Sequence, residues 1–231
     1  MRDRRALTIP ALLAASAVCV GTVAVREHHS GSNFYGFLVW NLFLAWVPLV
    51  FALAAYGSAR RRATVSTVVF GVLWLLFFPN APYLLTDFIH LRETPTTPLW
   101  YDALMLASFA WTGLLLGYAS LYLMQMILER AVGMFSWLGV VAALALASFG
   151  VYLGRFLRLN SWDALVRPLR LGHVIHANLE NPLQHPRLIA SLVALTGALT
   201  IGYLVVYSVA GTHLELDRRS PGPGRTPARR G

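Results

Sequence analysis

The chain has 231 residues, 57% hydrophobic and 13% charged, and its nineteen basic residues are all arginine, which against ten acids leaves a net charge of +9. A soluble domain carries about a quarter charged residues, and a disordered chain cannot leave this much apolar surface in water, so both classes are excluded for most of the length. A single cysteine excludes a disulfide framework, and arginines set at the ends of apolar runs read as topology determinants rather than as a nucleic-acid surface.

Six apolar runs approach the ~20 residues that cross a bilayer as a helix: Leu7–Val25, Gly36–Tyr56, Ala63–Leu85, Leu99–Met124, Met134–Gly154 and Leu188–Val209. The predicted fold is an all-α, polytopic transmembrane bundle of about six spans. Residues 1–34 hold the first span and a short outer loop, 35–210 the core membrane domain, and 211–231 an Arg-, Pro- and Gly-rich tail expected to be disordered and cytoplasmic. Basic residues before the first run, and Thr22-Val23-Ala24 within it, resemble a signal peptide. Its apolar stretch exceeds the ~7–15 residues usual for one, so it is read as a retained span, with Cys19 a small buried hydrophobe.

The third run contains Phe77-Phe78-Pro79-Asn80-Ala81-Pro82-Tyr83. A helix stopping at Phe78 covers about 22 Å at ~1.5 Å per residue, short of the ~30 Å hydrocarbon core. Pro79 and Pro82 remove donors, and lipid cannot satisfy the carbonyls left between Leu75 and Phe78; Asn80 is the local candidate to do so. Two readings stay open: a plain helix end with Tyr83 at the interface, and a broken helix lining a polar cavity.

Beyond the break come Thr86, Asp87 and His90. The fourth span opens with Thr97 as expected cap and Pro98 as first helical residue. Asp102 follows one turn inside, where the helix dipole favours an acid and membrane depth makes an acid a functional candidate. The fifth span ends at Tyr152-Leu153-Gly154-Arg155, followed by Arg158, Asn160, Trp162 and Asp163. Ser161 is a candidate cap for a short interfacial helix carrying Trp162, Leu165, Val166 and Leu169, which Pro168 limits to about two turns.

Placing the N-terminus inside puts twelve arginines, including the Arg60–Arg62 triplet, on the cytoplasmic side and seven outside, which favours both termini cytoplasmic. Asp87, His90, Asp102, Arg155, Arg158 and Asp163 then share the extracytoplasmic face. The outer arginines read as functional, as paired with Asp163, Asp102 and Glu180, or as snorkelling to lipid phosphates.

Acid–base chemistry on that face has the candidates Asp87, His90, Asp102 and Asp163, and binding has Asn80, Tyr83, Arg155, Arg158, Asn160 and Trp162. Asp87 with His90, and His173 with His176, have a three-residue spacing that shares one helix face. A catalytic zinc takes three such ligands and no HExxH occurs, so neither metal nor other cofactor is expected. Nucleophile-elbow and phosphate-loop sequences are absent. Gly113/Gly117 and Gly150/Gly154 have the small-xxx-small spacing of close helix packing.

Phe78-Pro79-Asn80-Ala81-Pro82-Tyr83, Thr86-Asp87, His90-Leu91, Trp100-Tyr101-Asp102, Tyr152-Leu153-Gly154-Arg155-Phe156 and Asn160-Ser161-Trp162-Asp163 resemble, in this order and spacing, the signature segments of a bacterial multi-pass membrane family known only as a domain of unknown function. The resemblance covers roughly residues 35–210. It implies a bacterial plasma-membrane protein and carries no activity, substrate or cofactor. Three functional classes remain: a structural or accessory subunit, a solute-binding or transport component, and an envelope enzyme acting on a lipid-linked or cell-wall substrate. Expected partners are membrane lipids and other membrane proteins.

Overall fold

The computed structural model describes residues 2–91, 97–156 and 186–219. Among them there is no strand. The elements are α1 (Arg2–Ser30), α2 (Phe37–Arg60), α3 (Thr64–Phe77), α4 (Asn80–Tyr83), a tight 3-10 helix (Leu84–His90), α5 (Leu99–Val132), α6 (Ser136–Phe156) and α7 (Pro186–Arg219). Among the described residues five helical stretches are long and apolar enough to cross a membrane. The longest, Leu99–Phe156, has 58 residues, about 87 Å at ~1.5 Å per residue, too long for one crossing. It divides at Gly133, whose φ of 59° and ψ of −131° suit a residue without Cβ. The protein is thus an all-α membrane bundle of about six spans.

α5 is the hub, packing against α1, α2, α4, the 3-10 helix, α6 and α7, while α2 also lies along α3. One apolar cluster joins Cys19 and Val23 of α1 to Leu38, Leu42 and Ala45 of α2 and to Met105, Leu106 and Phe109 of α5. A second joins Trp74, Phe78, Tyr118, Leu144, Ala147, Leu199 and Tyr203. α3 turns Val65, Val68, Val69 and Val72 outward, as a helix facing hydrocarbon can.

The proline break is packed by protein. α3 ends at Phe77, and the Asn80 amide Nδ2 donates to the Phe77 carbonyl at 2.8 Å, whose regular helical donor, the Ala81 N–H, turns to the Phe78 carbonyl instead. Phe78, Ala81 and Leu84 are buried. The glycines on α5 and α6 explain how the irregular segment fits. A Cβ at Gly113 would stand 2.6 Å from the Ala81 carbonyl oxygen, and one at Gly150 would stand 2.5 Å from Pro79 Cγ. The first small-xxx-small pair and Gly150 therefore receive the broken turn, not a neighbouring straight helix. The helix is broken, as the second reading had it, and Asn80 meets a freed carbonyl as expected, but the turn is packed against α5 and α6 rather than lining a polar cavity.

Two boundaries differ from those read from the sequence. α5 runs on to Val132, past Met124, and α7 runs on to Arg219, so residues 211–219, read as part of the tail, are helical. The interfacial helix expected after Ser161 lies outside the described residues.

Candidate functional site

The break sets the geometry of the site. In a 3-10 helix residues three apart eclipse one another, so Leu84–His90 stacks Asp87 and His90 on one side. Arg155 arrives from the last turn of α6, where a cation also complements the helix dipole. Its Nη2 pairs with Asp87 Oδ1 and donates to Thr86 Oγ1 at 2.8 Å, and its Nε donates to the same hydroxyl at 3.0 Å. Nη1 lies 3.1 Å from His90 Nε2. A guanidinium only donates, so in this contact the ring nitrogen is the acceptor. The guanidinium carbon stands 4.6 Å over the Tyr83 ring, and the second carboxylate oxygen of Asp87 accepts from Asn41 Nδ2 at 3.2 Å. The Asp87 side chain is 1% exposed and that of Arg155 13%.

Asp102 belongs to a second ion pair. Arg26, at the end of the apolar run of α1, donates from Nε to Oδ1 at 2.7 Å and from Nη2 to Oδ2 at 3.2 Å, the bidentate fork that suits a carboxylate. Thr97 adds a hydroxyl bond to Oδ1 at 2.9 Å. Both charged residues are almost completely buried, Arg26 at 1% and Asp102 at 2%. Thr97 thus serves the carboxylate rather than capping the backbone. Pro98 precedes α5 with an extended ψ of 134° and is not its first helical residue.

Tyr35, with no exposed surface, joins the Arg26 pair to His90. Its ring lies 4.3 Å beneath the Arg26 guanidinium, and its hydroxyl donates to the His90 carbonyl at 2.8 Å. Phe37 packs its ring 5.0 Å from that of His90.

Of the residues picked out in the sequence, Tyr83, Asp87, His90 and Arg155 meet around one guanidinium. Asp102 stands apart with Arg26, not with Arg155, and Asn80 serves the helix break. Arg158, Asn160, Trp162, Asp163, His173 and His176 lie outside the described residues. Sequence reading missed Asn41, Thr97 as a carboxylate partner, Tyr35 and Arg26. Asn41 had a signal, as a lone amide in an apolar run. Among the described residues no group of three His, Cys, Asp or Glu side chains is placed to hold a metal, and Asp87 and His90 both turn to a cationic guanidinium.

The model of one family, described as a protein of unknown function (DUF1361), matches residues 40–201. The chain belongs to this family. The DUF1361 match encloses the whole Asp87–Arg155 cluster with Asn41, and takes in Asp102, but leaves out Arg26 and Tyr35. No curated protein and no solved structure matches the chain.

Proposed function

We propose that the protein is an accessory or structural component of a bacterial plasma membrane, with both termini cytoplasmic and the Asp87 and Asp102 clusters fixing its extracytoplasmic half. The arginine bias between loops supports that orientation. One observation carries the reading: the ionisable groups of the site engage one another. Arg155 has partners on Nε, Nη1 and Nη2 within the chain, leaving little for a substrate. Asp87, with both oxygens occupied, is badly placed to exchange a proton with solvent. The clamp then fixes the last turn of α6 against the 3-10 helix, and partners of that rigid end are membrane lipids or other membrane proteins. The inner halves of the third and fifth spans are nearly all apolar, which opposes a transport path.

Accumulation of variants in the membrane tests this. Asp87→Asn lowers the amount of folded protein, and the exchange Asp87→Arg with Arg155→Asp restores part of it. Normal accumulation of Asp87→Asn together with loss of an envelope phenotype would support the enzyme reading instead. A solute-binding reading is favoured by one detail, the greater exposure of Arg155 than of Asp87: a carboxylate or phosphate could reach the arginine by displacing Thr86. It predicts that such solutes raise the melting temperature of the wild type and not of Arg155→Gln.

A further inference from the structure

Away from the ion pairs, at the opposite end of α2, the helices leave a groove of about 790 Å³ between α1, α2, α5 and α7, a size within the ~300–1,000 Å³ of ligand pockets. Its walls are aliphatic side chains, among them Leu12, Leu53 and Leu123, with Tyr118, Tyr203 and Tyr207 beside them. Those tyrosines are turned so that their polar ends are used elsewhere: the Tyr118 hydroxyl donates to the Leu199 carbonyl, Tyr203 to Gln125 and Tyr207 to Glu129. At these three residues the groove meets ring.

Its length and its mouth identify the occupant. On α5 the wall runs from Leu115 to Met126, about 16 Å at ~1.5 Å per residue, close to half the ~30 Å hydrocarbon core. A second membrane helix would need a strip through the whole core; a lipid tail needs the depth of one leaflet. At the mouth, Tyr56 lines the groove and carries the Arg130 guanidinium 5.6 Å over its ring. Arg60, one turn beyond Tyr56, and Arg61 and Arg62 are exposed nearby in sequence. Apolar walls of single-leaflet depth below a cluster of arginines complement a tail below a phosphate.

We propose that this groove seats one acyl chain of an anionic phospholipid from the leaflet on the arginine-rich side, with the phosphate at Arg130. The inference is independent of the accessory reading, because the groove shares no residue with the ion-pair clusters.

Native mass spectrometry of the detergent-solubilised full chain, titrated with phosphatidylglycerol and with phosphatidylcholine, tests it. The wild type should retain phosphatidylglycerol about fivefold better, the preference expected of one arginine for a net anionic headgroup over a zwitterionic one. Arg130→Gln should erase that preference. Ala15→Trp, which fills the groove from α1, should weaken binding of both lipids about tenfold, the effect of ~1.4 kcal/mol, while Leu138→Trp on the lipid face of α6 leaves it unchanged. Equal retention of the two lipids by the wild type overturns the proposal, as does Ala15→Trp binding like the wild type. A lipid-free wild type that dimerises, and loses the dimer in Ala15→Trp, overturns it in favour of a second copy of the chain.

Discussion

The two buried ion pairs use the same chemistry and differ in what surrounds them. Asp87–Arg155 is a hub: threonine, histidine, asparagine and tyrosine side chains crowd the two charges, and the arginine keeps 13% of its side chain exposed. Asp102–Arg26 is a bidentate fork to which Thr97 adds a hydroxyl and Tyr35 a ring face, and both side chains are almost completely buried. When a partner is removed, Arg155 keeps part of its side chain at the surface and can turn to water, whereas Arg26 and Asp102 are both held away from it. The more deeply buried pair is therefore the more vulnerable to a single change.

That contrast predicts its largest effect at Asp102. Asp102→Asn leaves Arg26 charged, since a guanidinium does not release its proton, and breaking a buried pair on one side is destabilising by about 3–5 kcal/mol. Equilibrium unfolding in mixed micelles should register that loss. Replacing both members, as Arg26→Leu with Asp102→Leu, should recover most of it, because paired burial is nearly balanced by desolvation. If the double variant is as unstable as Asp102→Asn, the fork is contributing more than charge neutralisation.

Asp87→Asn should have a smaller effect, about 1–3 kcal/mol for a lost charged hydrogen bond. The amide keeps an oxygen for Arg155, and the arginine retains Thr86 and the Tyr83 face and can lean to the surface. An equal loss for the two single variants would erase the distinction drawn above. Gly113→Val tests what holds the hub in place, since the new Cβ would meet the Ala81 carbonyl oxygen at 2.6 Å. Overpacking of this kind is destabilising by about 1–3 kcal/mol, and here it should also loosen the 3-10 helix. Faster protease cleavage near Leu84–His90 would report that, and a variant that unfolds without such local opening would not fit.

Much of the hub was legible in the sequence because its members are ionisable residues at membrane depth, where each is expensive and so conspicuous. The double proline likewise announced an interrupted helix. The pairing was not legible. Arg26 and Arg155 both stand at the ends of apolar runs, and only the rotation of α1 about its axis, set by packing at Cys19 and Val23 against α5, decides which arginine turns inward to Asp102. Thr97 was misread for a related reason: a cap and a carboxylate partner look alike until the start of α5 is fixed. Tyr35 left no signal, since a tyrosine beside a membrane span is ordinary interfacial composition.

The smallest predicted effect concerns whether the two pairs act separately. Tyr35 stacks on Arg26 and hydrogen-bonds the backbone of His90, so it is a physical link, and residues sharing a partner couple by about 0.5–3 kcal/mol. Tyr35→Phe keeps the ring under Arg26 and deletes the bond to the His90 carbonyl, a loss of about 1 kcal/mol. In the wild-type background, the effects of Asp87→Asn and Asp102→Asn should then fall short of or exceed additivity. In the Tyr35→Phe background they should add. Additivity in both backgrounds would mean that Tyr35 fills space between two independent pairs. Non-additivity persisting in Tyr35→Phe would move the coupling to packing between the two regions, such as that of the 3-10 helix on α5.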